Sequence, residues 1–391
     1  MAKSSAPAAK RNRAPAVAFK AAHGAGADWG TAVKACTVRL GALPPGANLG
    51  FLYATDSLAE DLSSILTFLR ETTRIQDWIG SIGTGVAASG IEYHDRPAIV
   101  VMVATLPAHA FRFFEPVTGA NAAGGLDRFR ASHGEWLARH QPSFGIAHGD
   151  SRNPEIAQIL DQVAAESSSF LIGGLTASRA EHAQIAGRVT EGGLSGAFFG
   201  PELRIASGLT QGCSPIGPVR RVTSGEGSVI MGLDDRPAVE ILKEDVGELL
   251  AHDLRRIGGY IHVAFSIPGS DTGDYLVRNL TGLDMVHGSI EVGDRVETGQ
   301  QVRFCRRDHD SALDDLRRMV GDVKRRAGPA PKAGVYFSCV ARGQNLFGPN
   351  SEELRLIRDQ LGEIPLVGFF ANGEISNGRL YGYTGVLALF T

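Results

Sequence analysis

Apolar runs, polar turns and amphipathic stretches succeed one another along this chain in an order that recurs. In the C-terminal copy, Val335-Tyr336-Phe337 reads as a strand and residues 338–343 as a polar turn. A helix is predicted over 351–361, followed by an apolar run carrying Val367-Gly368 and a closing strand, Leu387-Ala388-Leu389-Phe390. An earlier copy starts with a strand over 49–54 and a helix whose stripe is Leu58, Leu62, Ile65, Leu66 and Leu69. That spacing is helical, and Ser57 with Glu60 has the form of a capping box. Ile79-Gly80 and a strand over 98–104 complete it. A third copy has a strand over 144–147, then Asn153-Pro154-Glu155 as a helix start, and Ile156, Ile159, Leu160 and Val163 as the stripe. Ile172-Gly173-Gly174 and strands over 196–209 follow. A further unit is read from a strand over 260–265 and a helix over 311–320, and another helix is predicted over 245–257.

Strand-helix-strand-strand units of this kind predict a mixed α/β fold, with mixed sheets and helices on their outer faces, in two related domains. The stretch 208–218 breaks the periodicity with Gly and Pro, which marks an ordered turn or crossover. The expected division is a tail over 1–17, one domain over 18–218 and another over 219–391, cut near Pro218. The tail holds Lys3, Lys10, Arg11 and Arg13, no acid and few large apolar residues. It is expected to be solvated and disordered.

Charge and cysteines narrow the function. The formal net charge is −3, which argues against a dedicated nucleic-acid binder. No apolar run reaches membrane-spanning length. Cys36, Cys213, Cys305 and Cys339 are scattered without a Cys-x-x-Cys pair, and residues 1–27 lack the apolar core of a secretory signal, so a reducing cytoplasm is expected. There is no His-Glu-x-x-His, no Walker loop and no Gly-x-Ser-x-Gly elbow.

The candidate chemistry lies at predicted strand ends. Arg342 and Glu374 follow two runs that would be neighbouring strands. Arg offers a planar fork for a carboxylate, and Glu374 can accept from an amine. The two could equally pair with each other as a structural salt bridge. Gly343 and Gly373 allow close backbone approach. Cys339 is either a buried small hydrophobe or a thiol activated by Arg342. His148, with Asp150, could ligate a metal or haem iron, or could be a turn residue. Asp56 reads as a turn or cap residue.

The run Phe337-Ser338-Cys339-Val340-Ala341-Arg342-Gly343, followed by Pro365-Leu366-Val367-Gly368-Phe369-Phe370-Ala371-Asn372-Gly373-Glu374-Ile375, resembles the C-terminal FIST domain. Ile172-Gly173-Gly174-Leu175 resembles the N-terminal FIST domain, and 212–219 with Val222-Thr223 looks like the junction between the two. The resemblance covers the chain from about Phe19 onward. It implies a sensory protein in signal transduction that binds a small ligand, with amino acids proposed for the family, and no catalysis. The ligand-binding set would be Cys339, Arg342, Gly343, Asn372, Gly373 and Glu374, with no cofactor. Some family members bind haem and sense nitric oxide, which would give His148 a role as a gas-sensor ligand. A hydrolase or transferase using Cys339 is the remaining alternative. No kinase, methyl-acceptor, cyclase or F-box segment is apparent in this sequence, so the expected output is through a separate signalling partner protein.

Overall fold

The computed structural model describes residues 16–119, 125–247, 259–267 and 275–391. It is a mixed α/β fold of three six-stranded sheets and a closed barrel. The three sheets are copies of one design. Each runs from an edge strand to the unit's closing strand, then to two parallel strands, and ends in a hairpin. In the first unit the four strands, in that spatial order, are Ala18–Ala25, Ala98–Thr105, Leu49–Thr55 and Asp77–Gly83. In the second they are Phe111–Val117, Leu194–Phe199, Phe144–Gly149 and Phe170–Leu175. In the third they are Ile205–Gln211, Thr384–Phe390, Ala333–Cys339 and Leu366–Ala371.

The hairpins are exchanged. Each follows the second parallel strand of its own unit but pairs with that strand in another. Gly85–Ala88 with Ile91–His94 joins the third sheet, Gln184–Ala186 with Val189–Thr190 the first, and Glu374–Ser376 with Arg379–Tyr381 the second. The recurrent Ile-Gly and Val-Gly steps now have a cause. A Cβ on Gly80, Gly173 or Gly368 would lie 1.7, 1.8 or 1.6 Å from the carbonyl oxygen of Leu52, Ala147 or Tyr336 in the parallel neighbour. Only glycine fits where two backbones approach that closely.

Parallel strands buried on both faces read as near-continuous apolar runs, and Leu49–Thr55 and Ala333–Cys339 are buried throughout. Each sheet turns its inner face to one shared core, which includes Phe51, Tyr53, Ile146, Phe337, Phe369 and Phe390. Paired helices cover the outer faces: Trp29–Leu40 with Leu62–Thr73, Leu126–His140 with Ile156–Ser167, and His309–Ala327 with Glu352–Leu361.

The barrel is an insertion in the third unit, between its edge strand and its first helix. It runs through Cys213–Glu226, Gln301–Arg307, Ile261–Ser266, Tyr275–Asp284, Ser289–Val292 and Val229–Leu233, and closes where Val229–Leu233 pairs back on Cys213–Glu226. It has its own core around Val222, Ile241, Val263 and Phe304.

Several expectations change. A cut near Pro218 falls inside the strand Cys213–Glu226, and the strands after Lys332 return to a core shared with the first half. Exchange of hairpins ties the two related halves together. The supposed unit over 260–320 joins a barrel strand to a helix of the third unit. No Ser57–Glu60 capping box forms: Asp56–Leu58 is a 3-10 turn and the helix starts at Leu62. The helix expected over 245–257 lies mostly outside the described residues, as does nearly all of the tail.

Candidate functional site

The third sheet's first parallel strand ends at Cys339, and the chain turns sharply there. Arg342 N donates to Cys339 O at 2.8 Å, and Gly343 takes φ +51°. The turn carries Arg342 inward, to 1 % exposure. Its Nε donates to Glu353 Oε1 at 2.8 Å. Nη2 lies 2.8 Å from the same oxygen, though off the N–H direction, and Nη1 has no partner. The guanidinium stands 5.0 Å over the Phe347 ring. Glu353 is fully buried. It accepts from Tyr336 Oη at 2.6 Å, from Ser338 Oγ at 3.1 Å and from Gly343 N at 3.0 Å. These bonds satisfy the Glu353 carboxylate and lower the cost of burying the pair.

Glu353 is the residue that the sequence reading missed. Its signal was position: it stands with Ile357 and Leu361 on the i, i+4 stripe of the helix Glu352–Leu361. A carboxylate on an apolar stripe needs a buried partner.

Glu374 reaches the same region from the exchanged hairpin, where it pairs with Gly174 of the second sheet. It is fully buried. Oε2 accepts from Thr384 N at 3.1 Å and from Thr384 Oγ1 at 2.8 Å, while Oε1 has no partner. Burial pushes its carboxyl up to about 8, against the pull of Thr384, Arg342 and Cys339. Arg342 and Glu374 therefore make no hydrogen bond to each other, and each keeps an unspent polar atom. Gln211 Oε1 is also buried without a partner, and Gln211 stands opposite Thr384 in the sheet. The next residue, Gly212, has no room for a side chain: a Cβ there would lie 2.6 Å from Tyr383 O and 3.3 Å from Arg342 Nη1.

These groups meet where the barrel joins the core. Arg307, the last residue of a barrel strand, donates to Ala341 O at 2.5 Å. The Tyr383 hydroxyl donates to Asn279 of the barrel.

The other expected site residues divide. Cys339 is buried, and its thiol is pushed well above the ordinary range, first by burial and then by Glu374; backbone N–H groups of Ala341 and Tyr383 offset this only in part. Such a thiol is protonated at neutral pH and is a poor nucleophile. Gly343 N holds Glu353, and a Cβ on Gly343 would meet the Phe370 ring at 2.5 Å. Gly373 turns the chain at φ +125°. Asn372 is exposed, and its backbone N–H donates to Leu175 O in the second sheet, so it stands apart from the buried groups.

His148 lies in the shared core rather than in a turn. It is fully buried, and its Nε2 is 3.3 Å from Tyr53 Oη. The rings of Tyr53, Phe369 and Phe337 surround it at centroid distances of 5.5, 5.8 and 6.1 Å. That packing does not fit an axial haem ligand. Among the described residues, no cluster of His, Cys, Asp and Glu has the makings of a metal site. Asp150 is held by Arg152 at 2.8 Å and by Gly192 N at 3.0 Å. Asp56 is held by Arg179 at 2.7 Å. Both strand-end aspartates are structural anchors.

Residues 48–236 match the FIST N domain, and residues 238–377 match the FIST C domain. The chain is 31% identical over 364 residues to an uncharacterized protein of Mycobacterium tuberculosis (strain ATCC 25618 / H37Rv), covering 88% of this chain and 91% of that one. An uncharacterized protein of Mycobacterium bovis is 31% identical over 360 residues, covering 88% and 89%.

Proposed function

This chain belongs to the FIST family, whose domains are sensory and ligand-binding, and from that premise we propose that it senses a small zwitterion, an amino acid or a close relative, in the joint between core and barrel. Arg342 Nη1 takes the anionic end and Glu374 Oε1 the cationic end. The protein acts in the cytoplasm, without catalysis, and passes the signal to a separate partner protein.

One observation carries this reading. Arg342 and Glu374 are both buried and near enough to interact, and each has a polar atom without a hydrogen-bond partner. Buried polar atoms are almost always hydrogen-bonded, and the exceptions point to a ligand, an ion or ordered water. Glu374 adds a chemical argument. With its carboxyl held up at about 8 it is mostly protonated at neutral pH. An ammonium placed on Oε1 would stabilise the ionised form, so binding would release a proton. Affinity should then rise as pH increases from about 6 toward 8.

Mass spectrometry of small molecules released from the purified, denatured protein would identify the ligand, and calorimetric titration would follow. Glu374→Gln keeps the shape and one acceptor but removes the charge. It should weaken binding by about thirty-fold, the effect of losing about 2 kcal/mol. Binding by Glu374→Gln with unchanged affinity and pH dependence would overturn the assignment.

A further inference from the structure

The chain passes between core and barrel at two single residues. Gln211, opposite Thr384, ends one ladder in the third sheet, and Cys213, opposite Arg307, begins another in the barrel. Gly212 lies between them and belongs to neither. On the return crossing, Asp308 stands alone between the barrel strand that ends at Arg307 and the helix that starts at His309. It caps that helix from extended backbone, accepting from Ser311 N at 2.8 Å. Because Cys213 and Arg307 are ladder partners, the two crossings run side by side. One-residue links at the ends of elements, one of them glycine, are where a hinge can absorb a change in φ and ψ.

This hinge lies on the charged groups. A Cβ on Gly212 would be 3.3 Å from Arg342 Nη1, and Arg342 and Glu374 are 1 % and 0 % exposed. With the barrel seated, no ligand reaches either group from solvent. Arg307 helps to seat it: Nη2 donates to Ala341 O at 2.5 Å and stands 3.4 Å from Asn345 O. On the core side Tyr383 does the same. Its hydroxyl donates to Asn279, its ring lies 4.4 Å from the His262 ring, and it leads into Thr384, which holds Glu374. The apolar patch against Tyr383 is only Cys213, Ala264, Val277 and Cys305 with Tyr275, separate from the shared core and from the barrel core. A unit with its own core and so small an apolar contact is free to move as a body.

Resting on the reading of this joint as the ligand site, we propose that the inserted barrel is a hinged lid. It turns about Gly212 and Asp308 to admit a ligand to Arg342 and Glu374, and it seats through Arg307 and Tyr383 to enclose that ligand. Enclosure removes water, so the bonds to the two charged groups act in a low local dielectric and are stronger for it. A ligand that is held only in the seated form shifts the barrel toward that form. The position of the barrel is then the signal that a partner protein reads.

The test is native-state labelling of wild type, Arg307→Ala and Tyr383→Phe with N-ethylmaleimide, read cysteine by cysteine by mass spectrometry. Cys36, Cys213, Cys305 and Cys339 are all buried and free. Cys213 and Cys305 pack against Tyr383, Cys339 lies beside Glu374, and Cys36 lies under the helices of the first unit. Opening of the lid exposes the first three and leaves Cys36 closed, whereas global unfolding exposes all of them. In wild type, Cys213, Cys305 and Cys339 should therefore react at least about tenfold faster than Cys36. Arg307→Ala should speed those three by about a further tenfold, the effect of one lost hydrogen bond of about 1.4 kcal/mol, and leave Cys36 unchanged. Tyr383→Phe should act in the same direction and less. The Cys36 rate checks that each variant is folded, and Tyr383→Phe carries the test if Arg307→Ala is not. Equal rates at all the cysteines of wild type would overturn the proposal. So would labelling of Cys339 with Cys213 and Cys305 protected, because the turn after Cys339 would then open alone. A mixture of free α-amino acids should slow labelling of the three. Selective opening that the mixture does not slow would overturn the zwitterion reading and leave the lid standing.

Discussion

The second and third units end their first parallel strands in different ways, although the units share one topology. In the second, the buried Asp150 meets an arginine whose side chain remains 49 % exposed, and backbone N–H groups of Arg152 and Gly192 complete its shell. In the third, the arginine is itself buried, its acid comes from the following helix, and polar atoms remain without partners. The hairpins repeat the contrast. Gln184 and Glu374 occupy equivalent places, each opposite the residue after the close-packed glycine. Gln184 uses its whole amide, donating to Gly193 O at 3.0 Å and accepting from Ser195 Oγ at 2.7 Å. Glu374 leaves one oxygen idle. The third unit alone carries the inserted barrel. A strand end open to solvent can satisfy its charges with water and flexible side chains; one beside the barrel cannot.

Breaking the buried pair should have the largest effect. Arg342→Ala leaves Glu353 charged and buried, so stability to urea should fall by about 3–5 kcal/mol. A loss below about 1 kcal/mol would mean that the pair is hydrated and the contrast false.

The hairpin positions come next. The Glu374 carboxyl, raised from 4.5 to about 8, favours the fold when protonated. That contribution is complete below about pH 4.5 and is lost as pH rises toward 8, on the order of a few kcal/mol. Glu374→Gln should flatten wild-type stability across this window. Gln184→Glu should create a similar decline in the second unit, because a carboxylate cannot donate to Gly193 O. Equal pH profiles for wild type and both variants would dissolve the comparison.

At the centre of the shared core, His148 is depressed from 6.5 to about 3 by burial. Its sign is opposite: its neutral form belongs to the fold, so stability is present above about 6.5 and is lost as pH falls toward 3. His148→Phe should remove part of the acid lability, a change of about 1–3 kcal/mol at pH 4, read by urea titration at several pH values. A variant as acid-labile as wild type would show that His148 is hydrated in the native state.

The smallest effect should come from Arg152→Ala. Asp150 keeps its backbone donors, so about 1 kcal/mol should be lost. A loss matching that of Arg342→Ala would make the two strand ends energetically alike.

Local order set much of what the sequence determined alone. The helical stripes at Ile65 and Leu69 or Ile159 and Val163, the apolar parallel strands, and the glycine in each second strand follow from periodicity and backbone packing, which act over a few residues. They were enough to expose the recurring unit and to place Arg342 and Glu374 at strand ends. Only the tertiary structure decided where each unit's hairpin would pair, that the barrel interrupts the third unit, and that Glu353 rather than Glu374 neutralises Arg342. Those outcomes depend on which surfaces meet after the chain has crossed between sheets. Gly174 and Glu374 are neighbours in space but far apart in the chain.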